Sequence, residues 1–273
     1  MTFSPVVAGS GIVAWKLMTR TLDTQSTAFA KSPEVLRDTE YFESTIGSIN
    51  TAEELVADRR LLRVALGAFG LQDDINNRAF IQKILEGGSI KDDALANKLT
   101  DDRYRELSKS FGFGDFNTPR TKLSYFGAEI TEKFRRQQFE VAVGEQDDTM
   151  RLALNADRVL ADMADSSASD DTLWFRIMGN PPLRQVMETA LGLPSSFSQL
   201  DIDQQLDIFK DRAERNFGGR AVAQFADPEV REKVVQRFLL RAQLDEYQTA
   251  SAGAVAVSLL QSASAFARSL RSF

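Results

Sequence analysis

The side chains that most often do chemistry in proteins are missing from this sequence or badly placed in it. It contains neither histidine nor cysteine. That removes the usual general base near neutral pH, the Ser-His-Asp triad, thiolate metal sites and thiol nucleophiles. An enzyme built on this chain would have to work with carboxylates, Lys, Tyr, Ser or Arg, so the favoured expectation is that it is not an enzyme. Asp201-Ile202-Asp203 followed by Asp207 has the outline of a calcium loop. Gln205, however, stands where a third oxygen ligand belongs, and Leu206 where glycine is required. Helix capping by Asp201 is the simpler account. The acid pairs Asp73-Asp74, Asp92-Asp93, Asp101-Asp102, Asp147-Asp148 and Asp170-Asp171 fall near expected helix starts, where carboxylates complement the helix dipole. Gly87-Gly88-Ser89, Gly112-x-Gly114 and Gly218-Gly219-Arg220 lack the preceding strand and Lys-Ser/Thr ending of a phosphate loop, and helix termination explains them. No metal, cofactor or catalytic residue is expected.

What remains is contact chemistry. Phe111, Phe113 and Phe116 alternate with Gly and Asp in a loop, which makes them candidate exposed contacts. Trp15, Trp174 and many of the 19 Phe sit on apolar stripes or beside turns, where core packing is the default. Arg59-Arg60, Arg135-Arg136 and the pair Arg151 and Arg158 are balanced by nearby acids and read as solvated helix faces. At the far end, Val255, Leu259, Phe266 and Leu270 share one helical face, with small residues Ser258, Ser262 and Ala267 between them. A lone helix of that length is marginal in water, so this stripe should be buried against the chain's own core or against a protein partner.

The elements that would position these residues are helices. Apolar positions recur at helical spacing almost throughout, and no sustained alternation indicates a sheet. Ser32-Pro33-Glu34-Val35 and Asp227-Pro228-Glu229-Val230 are paired helix starts, each with a capping residue, a proline for the first turn and an acid. Thr51 opens a helix whose stripe is Leu55, Leu62, Leu66 and Phe69, stopped by Gly70. The longest stretch sets Ile130, Phe134 and Val141 on one face, with Arg135, Arg136, Gln137 and Glu140 largely on the other. The segment Ser166–Asp171 is the most turn-like and marks a boundary. The expected fold is an all-α multi-helix bundle. It divides into an N-terminal helical unit (1–120), a central helix pair (121–165) and a C-terminal helical unit (166–273).

Of the 273 residues, 43% are hydrophobic and 26% charged, enough to bury a substantial core without disulfides. The net charge of −6 argues against a nucleic-acid partner, since a phosphate backbone needs a basic counter-surface. Met1–Val7 lacks the cationic lead and apolar run of a signal peptide, and the apolar stretch Ala252–Leu260 is too short to span a bilayer.

Three segments carry a resemblance. They are Asp58-Arg-Arg-Leu-Leu-Arg-Val-Ala-Leu-Gly-Ala-Phe-Gly-Leu71, Ile84-Leu-Glu-Gly-Gly-Ser89 through Phe111-Gly-Phe-Gly114, and Phe175-Arg-Ile-Met-Gly-Asn180 through Leu191-Gly-Leu-Pro194. They resemble an uncharacterised helical family of alphaproteobacteria, a domain of unknown function whose genes often lie among flagellar genes. The similarity runs from about Phe42 to Leu244. It implies a flagellum-associated role and brings no catalytic residue or cofactor with it. The expected function is a non-enzymatic structural or assembly factor acting through helix–helix contacts, cytoplasmic or flagellum-associated and free to oligomerise. A cytoplasmic adaptor for one soluble protein is the alternative, and an enzyme using carboxylate or Lys chemistry comes after both.

Overall fold

The computed structural model of the chain describes residues 3–247, and among them every regular element is helical, with no strand. The first group comprises α1 (Gly11–Ala30), α2 (Pro33–Thr45), α3 (Ala52–Ala57), α4 (Arg59–Gly67), α5 (Arg78–Gly87), α6 (Leu95–Lys98) and α7 (Arg103–Phe111). The second comprises α8 (Phe126–Gly144), α9 (Asp148–Ala164), α10 (Asp170–Met178), α11 (Pro181–Leu191), α12 (Ile202–Phe217) and α13 (228–247).

Local chemistry sets most of these boundaries. The Thr51 hydroxyl accepts the Glu54 N–H at 3.1 Å, and the Glu54 carboxylate reaches back to the Asn50 N–H at 2.6 Å. This is a capping box displaced by one residue. Asn180 caps α11 by accepting the Leu183 N–H at 3.2 Å, with Pro181 in the first turn. Ser32 occupies the capping position of α2, yet its hydroxyl makes no capping bond. The stripe Leu55, Leu62, Leu66 and Phe69 is not one helix. Asp58 interrupts it in an extended conformation, and its carboxylate accepts the N–H groups of Arg60 and Leu61 at 2.8 and 3.1 Å. The side chain thus restarts the chain as α4.

Burial gathers into two hydrophobic cores. One is built from α2–α5 and α7, with Phe42, Leu62, Leu66, Ile81, Leu107 and Phe111 inside it. The other joins α9–α13 to α1, whose Trp15 and Met18 pack with Met150, Leu160, Trp174, Phe209 and Phe238. The helix α1 therefore belongs with elements far along the chain rather than with the neighbours it precedes in an N-terminal unit ending at 120.

The helix α8 serves both cores. Phe126, Ile130 and Phe134 enter the first, and Phe139 and Val143 enter the second. At about 100° per residue, the buried stripe must rotate well around the axis between these two groups. The rotation corrects the single-face reading of this helix: Glu140 is buried rather than solvated, and Val141 is half-buried.

Candidate functional site

The face of α8 between the two cores, together with α9, forms the floor of a cleft of about 750 Å³. Its walls come from the end of α4 and the turn after it, the start of α7, and the α10–α11 junction. The Arg103 guanidinium donates to the Gly70 carbonyl at 2.5 Å and pairs with Asp101. The Asp102 N–H donates to the Gly179 carbonyl at 2.8 Å, which ties the α7 start to the α10–α11 turn.

A polar network lies in the floor. Arg158 donates to Glu140 through Nε at 2.6 Å and Nη2 at 3.0 Å, and the Asn155 amide donates to the same carboxylate at 3.2 Å. The Gln137 amide completes the set, donating to Glu140 at 3.2 Å and accepting from Arg158 at 2.9 Å. Only 7% of the Glu140 side chain and 23% of the Arg158 side chain is exposed. Burial pulls the Arg158 pKa down, but the adjacent Glu140 charge and its hydrogen bond outweigh that and leave it raised. Arg158 is thus held in a buried pair and not on a solvated face, as its balance with nearby acids suggests. Its helical phase gives a weak signal, because Arg158 lies beside the buried positions Asn155 and Ala156.

The cleft also collects unpaired atoms. Among the described residues, the buried side-chain atoms without a hydrogen-bond partner are Gln72 Oε1, Glu106 Oε1, Asn155 Oδ1 and Arg176 Nε. All four residues line this one cleft.

The aromatic triplet divides. Phe111 is wholly buried against Phe126, edge to face at 5.1 Å between ring centres, so it offers no contact surface. Phe113 packs half-buried on the same core, stacked on Phe111. Phe116 alone faces solvent, at 52% exposure. The glycines in this region do more than end helices. Gly112, at φ +67°, terminates α7, but a Cβ on Gly114 would run into the backbone of Glu86 and Gly88. Asp115 locks the two loops together by accepting from the Ser89 and Ile90 N–H groups at 2.7 and 3.0 Å.

The second surface of interest is on α13. Val234, Val235, Phe238 and Leu239 are buried, whereas Leu240, Leu244 and Tyr247 face solvent, Tyr247 at 77%. Positions i, i+4 and i+7 share a helix face, so these three form one exposed apolar stripe. Beside it runs α1, fixed by the Trp15 indole N–H donating to Glu232 at 2.8 Å and itself exposing Val13 and Leu17. Val255, Leu259, Phe266 and Leu270 lie outside the described residues. Of the carboxylates expected at helix starts, Asp201 accepts the Asp203 N–H at 3.0 Å and Asp147 the Met150 N–H at 3.0 Å. Asp102, by contrast, makes no side-chain capping bond, and Asp170 accepts the Val222 N–H at 2.7 Å while Ser169 caps α10.

A family model described as a protein of unknown function, DUF1217, matches residues 68–230, more than half of the chain. The fold is similar to that in a crystal structure of a protein from Agrobacterium tumefaciens. The two share 26% sequence identity with a TM-score of 0.72, over 89% of this chain and 99% of the other. No curated protein matches.

Proposed function

The chain belongs to the DUF1217 family of proteins of unknown function, and from that premise we propose that it is a non-enzymatic structural or assembly factor working through helix–helix contacts in association with the flagellum. The observation that supports this reading is the exposed stripe Leu240, Leu244 and Tyr247 on α13. An apolar row at helical spacing is the surface a second helix covers, and covering each such side chain contributes roughly 1–2 kcal/mol. The row immediately precedes the segment whose sequence repeats the pattern at Val255, Leu259, Phe266 and Leu270. Support for the flagellar setting is the resemblance of three segments to a family encoded among flagellar genes, together with a structural neighbour from an alphaproteobacterium.

The test is a full-length variant carrying Leu240→Ser, Leu244→Ser and Tyr247→Ser. It is compared with the parent by circular dichroism, melting, sedimentation, and co-fractionation with flagellar basal bodies from motile cells. The reading expects a variant that is equally helical and equally stable but no longer recovered with its assembly. A folded variant that keeps every association, or a parent that never fractionates with flagellar structures, would count against it.

A further inference from the structure

The cleft between the two cores has nothing to do with the apolar stripe, and its chemistry points elsewhere. Buried polar groups are nearly always hydrogen-bonded, so unpaired ones are expected to be scattered and few. Here the residues that carry them, Gln72, Glu106, Asn155 and Arg176, all line one cavity, although they come from four separate segments of the chain. Asn155 is the most telling. It is 7% exposed, its amide nitrogen is committed to Glu140, and its oxygen is left without a donor.

The charges of the wall sort in the same way. Arg103, Lys133, Arg136, Arg151 and Arg158 are each held in an ion pair. Among the described residues, the Arg176 side chain takes part in no ion pair or hydrogen bond, and neither does the Asp73 carboxylate. Glu106 is ion-paired with Arg105 at 3.6 Å, a distance too long for a hydrogen bond, so its Oε1 still accepts none. The capacity open to a ligand is therefore the Arg176 guanidinium, the exposed Asp73 carboxylate, one Glu106 carboxylate oxygen and two amide oxygens. A molecule that satisfies it carries one carboxylate and more than one cationic N–H donor. Phe69, Val159 and Met163 line the same space and suit an aliphatic stem. The volume of about 750 Å³ is that of a small-molecule site.

We propose that this cleft binds a small zwitterion of the basic amino acid class, with Arg176 holding the carboxylate and Asp73, Glu106 and the amide oxygens of Asn155 and Gln72 receiving the cationic groups. A guanidinium–carboxylate contact is bidentate and charge-assisted, so Arg176 sets the orientation of the ligand. The exposed Asp73 attracts the cationic end at the mouth of the site.

The experiment is isothermal titration and thermal shift of the full-length protein with L-arginine and L-lysine. L-glutamate serves as the charge-inverted control, and agmatine as arginine without its carboxylate. Binding of at least one basic amino acid is expected, with agmatine weaker by about 10- to 100-fold, the range for losing a charge-assisted hydrogen bond. Arg176→Gln should bring L-arginine down to the affinity of agmatine and leave agmatine unchanged. Asp73→Asn should weaken both. Because Arg176 has no partner to lose, Arg176→Gln is also expected to melt no lower than the parent in the absence of ligand. Failure of both basic amino acids to bind would overturn the assignment. So would binding indifferent to Arg176→Gln or Asp73→Asn, or L-glutamate binding as well as L-arginine. The Leu240, Leu244 and Tyr247 variant should bind the amino acid normally, which keeps this result separate from the contact role.

Discussion

Replacing Glu140 by alanine removes the common acceptor of the network between α8 and α9. Arg158 loses its bonds at 2.6 and 3.0 Å and keeps only the neutral Gln137 amide oxygen at 2.9 Å and Asp162, 4.0 Å away and largely exposed. Asn155 loses the acceptor for its amide at the same time. An exposed pair such as Arg158 with Asp162 recovers little. A buried cation left without its partner costs about 3–5 kcal/mol. For a chain of this size that lowers the melting temperature by roughly 6–10 °C, at about 2 °C per kcal/mol. The double variant Glu140→Leu with Arg158→Met removes both charges and fills the space, so it should lie within about 1–2 kcal/mol of the parent. Urea unfolding followed by fluorescence is well suited to the measurement, since both tryptophans of the chain, Trp15 and Trp174, lie in the core that includes α9. Circular dichroism of the same samples follows both cores, and the two singles with the double close a thermodynamic cycle. The reasoning fails if Glu140→Ala costs less than about 1 kcal/mol, or if the double variant is as unstable as the single, since neither fits a desolvated pair.

Further expected outcomes follow from other parts of the fold. Burial pushes the Asp58 carboxyl up, but hydrogen bonds from the Tyr41 hydroxyl and the Leu61 and Arg60 N–H groups outweigh it, and the net pKa is lowered. Its contribution is therefore complete above the unfolded aspartate value of about 3.9 and is lost as pH falls through the lower folded value. Asp58→Asn, which still offers a capping oxygen but does not titrate, should show a shallower loss of stability in acid denaturation followed by circular dichroism. Phe111→Ala should cost about 3–5 kcal/mol in chemical denaturation, whereas Phe116→Ala should change stability by less than about 0.5 kcal/mol. Equal costs would mean that the division of the triplet is wrong. Gly114→Ala forces apart the backbones of residues 86–88 and 114. It should destabilise by about 1–3 kcal/mol and increase hydrogen exchange at the Ser89 and Ile90 amides, and exchange equal to the parent's would refute the close approach.

Within each element, the sequence carried the decisive information. Helical periodicity, the caps at Thr51, Asn180 and Asp201, and the stops at Gly70 and Gly112 act over one turn of chain, so residue types and spacing suffice to place them. The break at Asp58 belongs to the same local chemistry, but a continuous apolar stripe hides it. The tertiary structure decided which helix each face would meet, because periodicity defines a face and not its partner. The sequence could not show that α8 turns from one core to the other, because two partners at different angles are what rotate its stripe. Glu140 and Arg158 look like ordinary solvated charges until α8 and α9 are laid side by side. Arg176 is one more arginine on a helix until the fold sets it on the same cleft as three residues with unsatisfied acceptors from other segments of the chain. The fold was legible because it follows from short-range rules, and the cleft was not, because its walls are residues as far apart in the chain as Gln72 and Arg176.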